Sequence, residues 1–167
     1  MTNVTIAEGY RPGAIGRCLE LQAKYYAQHH GFGRHFEIDR ALDIAGFFAR
    51  ANDLRSRFWC ALRGDEIVGT IAIDASDLGA GVAHLRWFVT AEILRGTGVG
   101  KELLATALGH VDDGDFIETQ LWTFRGLDAA RKLYESAGFM LRNEYDSDKW
   151  GPNVREQHFV RTHNRAR

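Results

Sequence analysis

A strand, a glycine-studded turn and a helix follow one another between Val82 and His110, and this run constrains the chain more than any other stretch. Trp87, Phe88 and Val89 favour extended backbone, whereas Leu103, Leu104, Ala107 and Leu108 recur at helical spacing. Between them stands Arg95-Gly96-Thr97-Gly98-Val99-Gly100. Glycine accepts dihedrals that other residues resist and lets a ligand approach the backbone, and a helix start presents free N–H groups. Together these features describe an anion seat suited to a phosphate or pyrophosphate. A nucleoside-triphosphate loop is excluded: Arg95 occupies its first glycine position, and Glu102 follows Lys101 where a hydroxyl is needed. The dinucleotide fingerprint fails as well, because the glycines run G-x-G-x-G and not G-x-G-x-x-G. Glycine spacing by itself serves a phosphate turn and a plain tight connection equally well.

With 167 residues the chain has room for one domain with a proper core and is short for two. Its formal net charge of -1 gives no general pull towards nucleic acid or an acidic membrane. The four tryptophans come without a basic stripe, which argues against a base-stacking surface. Residues 161–167 form a basic tail, expected to be a frayed end. Cys18 and Cys60 sit in apolar periodic segments and read as reduced and structural. The N-terminus lacks the basic start and apolar stretch of a signal peptide, and no apolar run approaches bilayer length. A cytoplasmic location is the expectation, and no metal site is expected.

In chain order, Val4 to Ala7 suits a short strand, and Arg11 to Gly16 a turn leading into a helix with Pro12 in its first turn. Ile15, Cys18, Leu19, Leu21, Gln22, Tyr25 and Tyr26 give that helix its stripe. A second helix is predicted from Ile38 to Ala51, leaving Gln28 to Glu37 as a loop rich in aromatic, histidine and glycine residues that could line a cleft. Strands follow over Arg57–Leu62 and Ile67–Ile73, joined by a tight Arg63-to-Glu66 turn. After the central strand and helix come a strand over Phe116–Thr123, a helix over Leu127–Ala137, a strand from Gly138 to about Tyr145, and a last strand over Arg155–Arg161. This order, with hairpin and crossover connections together, indicates one α/β (α+β) domain over residues 1–167, a mixed sheet covered by helices.

Arg95, Gly98 and Gly100 fill the defining places of [QR]-x-x-G-x-[GA], and the segment resembles the pyrophosphate motif of the GNAT acetyltransferase superfamily. Leu127 to Phe139 resembles that superfamily's last helix with its A-x-x-L-Y-x-x-x-G-F ending, here carried by Ala130, Leu133, Tyr134, Gly138 and Phe139. The Arg63-to-Gly69 hairpin is similar too, and the resemblance spans almost the whole chain. It is nearest to the acetyltransferase domains fused to MarR-type DNA-binding domains, which share the Leu121-Trp122-Thr123, Ala-Ala-Arg-x-Leu-Tyr and Glu156-Gln157 patterns. The chain has no room for such a DNA-binding domain. The resemblance implies a GNAT-like fold with splayed central strands, acetyl-CoA as cofactor, and direct transfer of its acetyl group to a primary amine of a small molecule or peptide. It also implies a homodimer. Neither nucleic acid nor membrane is an expected partner. The alternative is a non-catalytic acyl-CoA sensor or interaction module.

On the same footing, Phe88 and Val89 would lend backbone groups to the pantetheine arm as an added strand. Backbone amides of Arg95, Gly96, Thr97, Gly98, Val99 and Gly100 would hold the pyrophosphate, with charge from Arg95 or Lys101. The family's usual asparagine is replaced by Leu127, and Thr123 is the nearby substitute. The Val89 N–H would stabilise the oxyanion. Tyr134, by pattern a helix aromatic packed on the sheet, would by resemblance be the general acid, its phenol pKa near ~10 keeping the proton at neutral pH. His84 and Glu118 are both candidates for the general base, and both also read as ordinary strand residues. Arg86, on the face of His84, could orient an acidic part of the acceptor. Tyr26, His30, Phe32 and Trp150, with Tyr25 and His29, would border an aromatic acceptor pocket.

Overall fold

A computed structural model describes residues 3–50 and 53–163. Its elements are β1 (Val4–Glu8), α1 (Ala14–His30), α2 (Arg34–Ala49), β2 (Arg57–Arg63), β3 (Glu66–Asp74), β4 (Val82–Thr90), α3 (Val99–Asp113), β5 (Glu118–Phe124), α4 (Asp128–Ser136), β6 (Met140–Ser147) and β7 (Val154–Thr162), with a single 3-10 turn at Glu92–Leu94. The strands make one mixed sheet in the order β1-β2-β3-β4-β5-β7-β6. Helices cover both faces. On one, Cys18 of α1 and Ile44 and Phe47 of α2 meet Phe58, Ala72 and Trp87. On the other, Leu103, Leu104 and Ala107 of α3 and Tyr134 of α4 meet Trp59, Ile71, Leu85 and Leu121. Full burial of one such aliphatic side chain is worth roughly 1.5–3 kcal/mol, so these two layers hold the sheet.

Two irregularities open the sheet at its centre. β4 and β5, the parallel pair, are in register only over Val82–His84 and Glu118–Gln120. Beyond His84 the strands part, leaving the β5-facing edge of β4 without a strand partner. The other irregularity is a bulge against β3: Thr70 pairs with Val89 and Ala72 with Arg86, so Trp87 and Phe88 together face Ile71. Trp87 takes φ +50°, the sole positive φ outside glycine among the described residues. Such a backbone costs of order ~1–3 kcal/mol and is kept where surroundings enforce it. Here the fully buried Thr70 hydroxyl donates to the Trp87 carbonyl at 2.7 Å.

Three sequence expectations need correction. The second helix begins at Arg34, not Ile38, and the Gln28–Glu37 loop shrinks to residues 31–33. Gly31 closes α1 in the left-handed region (φ 68°) and Gly33 caps α2, so two glycines suffice for the corner. Ala51, its expected end, lies outside the described residues. Pro12 lies ahead of α1, whose N-cap is Gly13. Arg161 is no frayed tail: it belongs to β7 and donates to Asp112 at 2.7 and 3.0 Å, while residues 164–167 lie outside the described residues. Both cysteines are free and buried as expected. Among the described residues no helix is long and apolar enough to cross a membrane.

Candidate active site

Where β4 and β5 part, two cavities open. The wider, about 710 Å³, is bordered by Phe88, Val89 and Thr90 of β4, by Arg95 and Gly100, and by the chain from Thr123 to Tyr134. The narrower, about 260 Å³, is bordered by His84 and Arg86 of β4, Trp122 of β5, Arg40 of α2, and Trp150 and Glu156. Tyr26, Phe88, Thr123 and Tyr134 border both. The two compartments thus lie side by side and share four side chains.

The glycine turn stands at the mouth of the wide compartment. Gly98 caps α3 at φ 85° with no side-chain cap, and the first intrahelical bond runs from the Glu102 N–H to the Gly98 carbonyl. The amides of Val99, Gly100 and Lys101 precede that bond and have no intrahelical acceptor. Gly96 takes φ 74°, and a Cβ at Gly96 or Gly98 would meet nothing within 4 Å, so the turn is bare on its outer side. The Glu92 carboxylate, in the turn before it, is engaged by His29 (3.2 Å) and Arg95 (3.8 Å). An open helix N-terminus with unspent N–H groups fits a pyrophosphate. Of the residues expected around it, Arg95 and Gly100 border the cavity. Gly96, Thr97 and Gly98 form the exposed turn, with Lys101 on the first turn of the helix, but the amides of Arg95 and Thr97, expected on the pyrophosphate, are already given to the Glu92 and Leu94 carbonyls at 3.1 Å. The Val99 side chain is in the core, so only its amide is available.

Tyr134 stands at the junction of the compartments, 6% exposed, its ring edge-on to Phe88 (6.0 Å between centroids) and Phe139 (5.9 Å). Burial pushes the phenol's pKa upward, so the hydroxyl stays protonated at neutral pH. Thr123, like Tyr134, borders both compartments. His84 faces the narrow compartment, and its Nδ1 meets Asp77 Oδ2 at 2.6 Å. A carboxylate only accepts, so Nδ1 carries the hydrogen and a neutral ring keeps Nε2 as acceptor. Burial holds the imidazole below its ordinary pKa of 6.5, against the opposing pull of Asp77. The ring is therefore neutral at pH 7.

Other expected site residues are placed differently. Glu118 sits at the fastened end of β5, opposite Val82, bonded by Gln120 and ion-paired with Arg142 at 3.4 Å, and it borders neither compartment. Arg86 borders the narrow compartment, but its guanidinium is held by Asp43 (3.0 Å), Asp74 (3.5 Å) and Asp77 (3.5 Å) and lies over the Trp87 ring, so it is spent within the protein. Phe32 packs with Phe36, Phe124 and Trp150 in an aromatic cluster behind the cavity walls. Tyr26 borders both compartments, His30 the wide one and Trp150 the narrow one. Sequence reasoning missed Arg40, Glu156 and Lys149 on the narrow side and Arg125 on the wide side. Glu156 and Gln157 are buried in succession on β7, which breaks the in-out alternation that would have marked either one.

The model of the Acetyltransferase (GNAT) family matches residues 18–139, well over half of the chain. Among curated proteins, N-acetyltransferase 8 of Rattus norvegicus is 32% identical over 114 residues, which is 65% of this chain and 51% of that protein. The chain thus spans about half the length of that relative. Among solved structures, an acetyltransferase from Streptococcus agalactiae is similar with a TM-score of 0.72 at 22% identity, covering 98% of this chain and 100% of that one. A GNAT-family acetyltransferase from Staphylococcus aureus gives 0.74 at 18%, covering 96% and 99%. The yncA protein of Salmonella typhimurium, solved with its cofactor acetyl-CoA, gives 0.77 at 14%, covering 99% and 96%. At these identities the solved structures speak for the fold, a mixed seven-stranded sheet parted between its two parallel strands and flanked by helices. With that fold and the family match together, the chain belongs to the acetyltransferase (GNAT) family.

Proposed function

We propose that this protein is an acetyl-CoA-dependent N-acetyltransferase that acetylates a primary amine of a small molecule or peptide by direct attack in a ternary complex. The observation that carries the reading is the pair of compartments meeting at Tyr26, Phe88, Thr123 and Tyr134, so that a donor in one and an acceptor in the other would touch there. The bound cofactor supplies a thioester carbonyl and a thiolate leaving group. The amides that open α3 would hold its pyrophosphate, with Arg95 adding charge. Phe88 and Val89, on the unpartnered edge of β4, would offer backbone groups to the pantetheine arm, and the Val89 N–H would face the carbonyl oxygen as charge develops.

A neutral amine would attack there, a C–N bond forming as the thioester C–S bond breaks. His84, held by Asp77, would take the proton lost by the amine at Nε2. Tyr134 would give its proton to the departing sulfur and regain one from solvent. Glu118 has no part in this scheme. The free thiols have none either: burial raises Cys18 to about 12 and Cys60 to about 11, so neither offers a thiolate for a covalent intermediate. We read the chain as one of the kind found fused to MarR-type domains and assembling as a homodimer, on the sequence resemblances given above, and as acting in the cytoplasm by default.

Release of coenzyme A measured over a panel of amines tests the reading, with Tyr134→Phe as the internal control. Loss of the general acid should lower kcat by about 10²-fold or more while the affinity for acetyl-CoA stays within twofold. Tight binding of acetyl-CoA without turnover of any amine would turn the assignment to the sensor.

A further inference from the structure

The narrow compartment holds two polar groups that the scheme above does not use, one on β7 and one on α2. Glu156 is 3% exposed. Its Oε2 accepts a hydrogen bond from the Tyr145 hydroxyl at 2.7 Å, but its Oε1 is buried with no hydrogen-bond partner. The closest cation to Oε1, the half-exposed Lys149 ammonium, stands at 3.5 Å, an ion pair without a hydrogen bond. Arg40 is the counterpart. Its Nη2 meets Asp43 at 3.0 Å, its guanidinium lies 5.4 Å from the Trp150 ring and 5.6 Å from the Phe36 ring, and its Nε is buried with no partner. Both residues border the cavity. Burying a charged atom without its hydrogen bond is costly, and here one acceptor and one donor lack a partner on residues that border the same small space.

We infer that the acceptor is a free amino acid or a similar small aminocarboxylate, its ammonium on Glu156 Oε1, its carboxylate on Arg40 Nε, and its apolar or aromatic side chain against Trp150 and Phe36. This rests on the acetyl-transfer reading for its purpose but on separate residues for its geometry. The charge balance of the walls agrees. With Arg86 already neutralised by Asp43, Asp74 and Asp77, Arg40 and Lys149 face the space against the single carboxylate of Glu156, so a polycation is disfavoured and an acceptor carrying its own negative group is matched. Size agrees too: about 260 Å³ lies at the small end of ligand pockets and takes one residue, not a chain. Lys149 already shows an ammonium to Glu156. His84 shares the cavity, which puts the acceptor's nitrogen in one space with the base.

The test uses the whole protein with free phenylalanine, tryptophan and methionine, set against phenylalanine methyl ester, phenethylamine and spermidine. Thermal unfolding reports binding, coenzyme A release reports turnover, and calorimetry measures acetyl-CoA affinity separately. Free amino acids should raise Tm and be acetylated, with the ester and phenethylamine at least tenfold lower in kcat/KM. Glu156→Gln and Arg40→Met should each raise the amino-acid KM at least tenfold and leave acetyl-CoA affinity within twofold. The ester and amine comparison needs no variant, so a failure of either variant to fold leaves the test intact. Equal or better use of phenethylamine or spermidine, or no Tm shift with any free amino acid, overturns the inference while acetyl transfer stands. Failure to bind acetyl-CoA would instead overturn the acetyl-transfer reading, and the Tm shifts would still decide the inference.

Discussion

Replacing Thr70 with valine probes the bulge on which the unpartnered edge of β4 depends. The substitution keeps the shape and removes one hydroxyl, whose hydrogen goes to the Trp87 carbonyl at 2.7 Å in a fully buried setting. A buried carbonyl stripped of its donor loses about 1–3 kcal/mol, and the added methyl returns at most about 0.8 kcal/mol. The net loss is then about 0.2–3 kcal/mol, centred near ~1–2 kcal/mol. For a domain of this size each kcal/mol moves Tm by roughly 2–4 °C, so thermal unfolding should shift downward by about 2–8 °C. The bond also holds Trp87 at φ +50° against its own preference, so without it the bulge relaxes towards an ordinary ladder and turns the groups of Phe88 and Val89. If about 1 kcal/mol of the loss reaches the cofactor, its affinity falls about fivefold, read by calorimetry with acetyl-CoA. Thr70→Ser, which keeps the hydroxyl, should retain cofactor affinity despite a smaller side chain. A Thr70→Val protein with unchanged Tm and unchanged acetyl-CoA affinity would refute the claim that this bond enforces the bulge.

Turnover should depend on pH through His84. Its folded pKa is depressed below 6.5 by burial, so kcat should be level through neutrality and fall only as pH drops below that value, and His84→Gln should remove this acid limb from a pH–rate profile. The same group contributes stability that is present above its unfolded pKa and lost as pH falls through the folded one, which denaturant unfolding at pH 7 and pH 5 can measure. Cys18 and Cys60, with pKa values pushed to about 12 and about 11, should carry a thiolate fraction below about one in a thousand at pH 8. Both should resist a thiol-specific disulfide reagent in the native protein and react fully in guanidinium; fast reaction of either in the folded state would contradict the burial described.

The order of elements and the glycine turn were legible because they rest on local rules. Leu103, Leu104, Ala107 and Leu108 follow one helical stripe and all are buried, and the Gly98 position demanded by the motif is a left-handed helix cap. What escaped is non-local. Arg86 is neutralised by carboxylates from α2, from the end of β3 and from the loop after it, three places that no spacing connects. Phe32 reads as a cleft aromatic until the corner between Gly31 and Gly33 folds it inward against Phe36, Phe124 and Trp150. Glu118 and Glu156 look alike as strand acids, yet one lies at the fastened end of the β4–β5 pair and the other on the cavity wall. Only the divergence of two strands, a property of the whole sheet, tells them apart.

That divergence has a mechanical consequence. Among the described residues, backbone bonds between strands tie β1–β4 to β5–β7 through one short patch at Gly81–His84, so the molecule behaves as two leaves of a book bound at a single corner of the spine. A ligand lying along the open margin with its own amide groups would act as the missing stitching. Hydrogen exchange along Leu85–Thr90 and Leu121–Phe124 should therefore slow together when acetyl-CoA is added, even at residues it never touches.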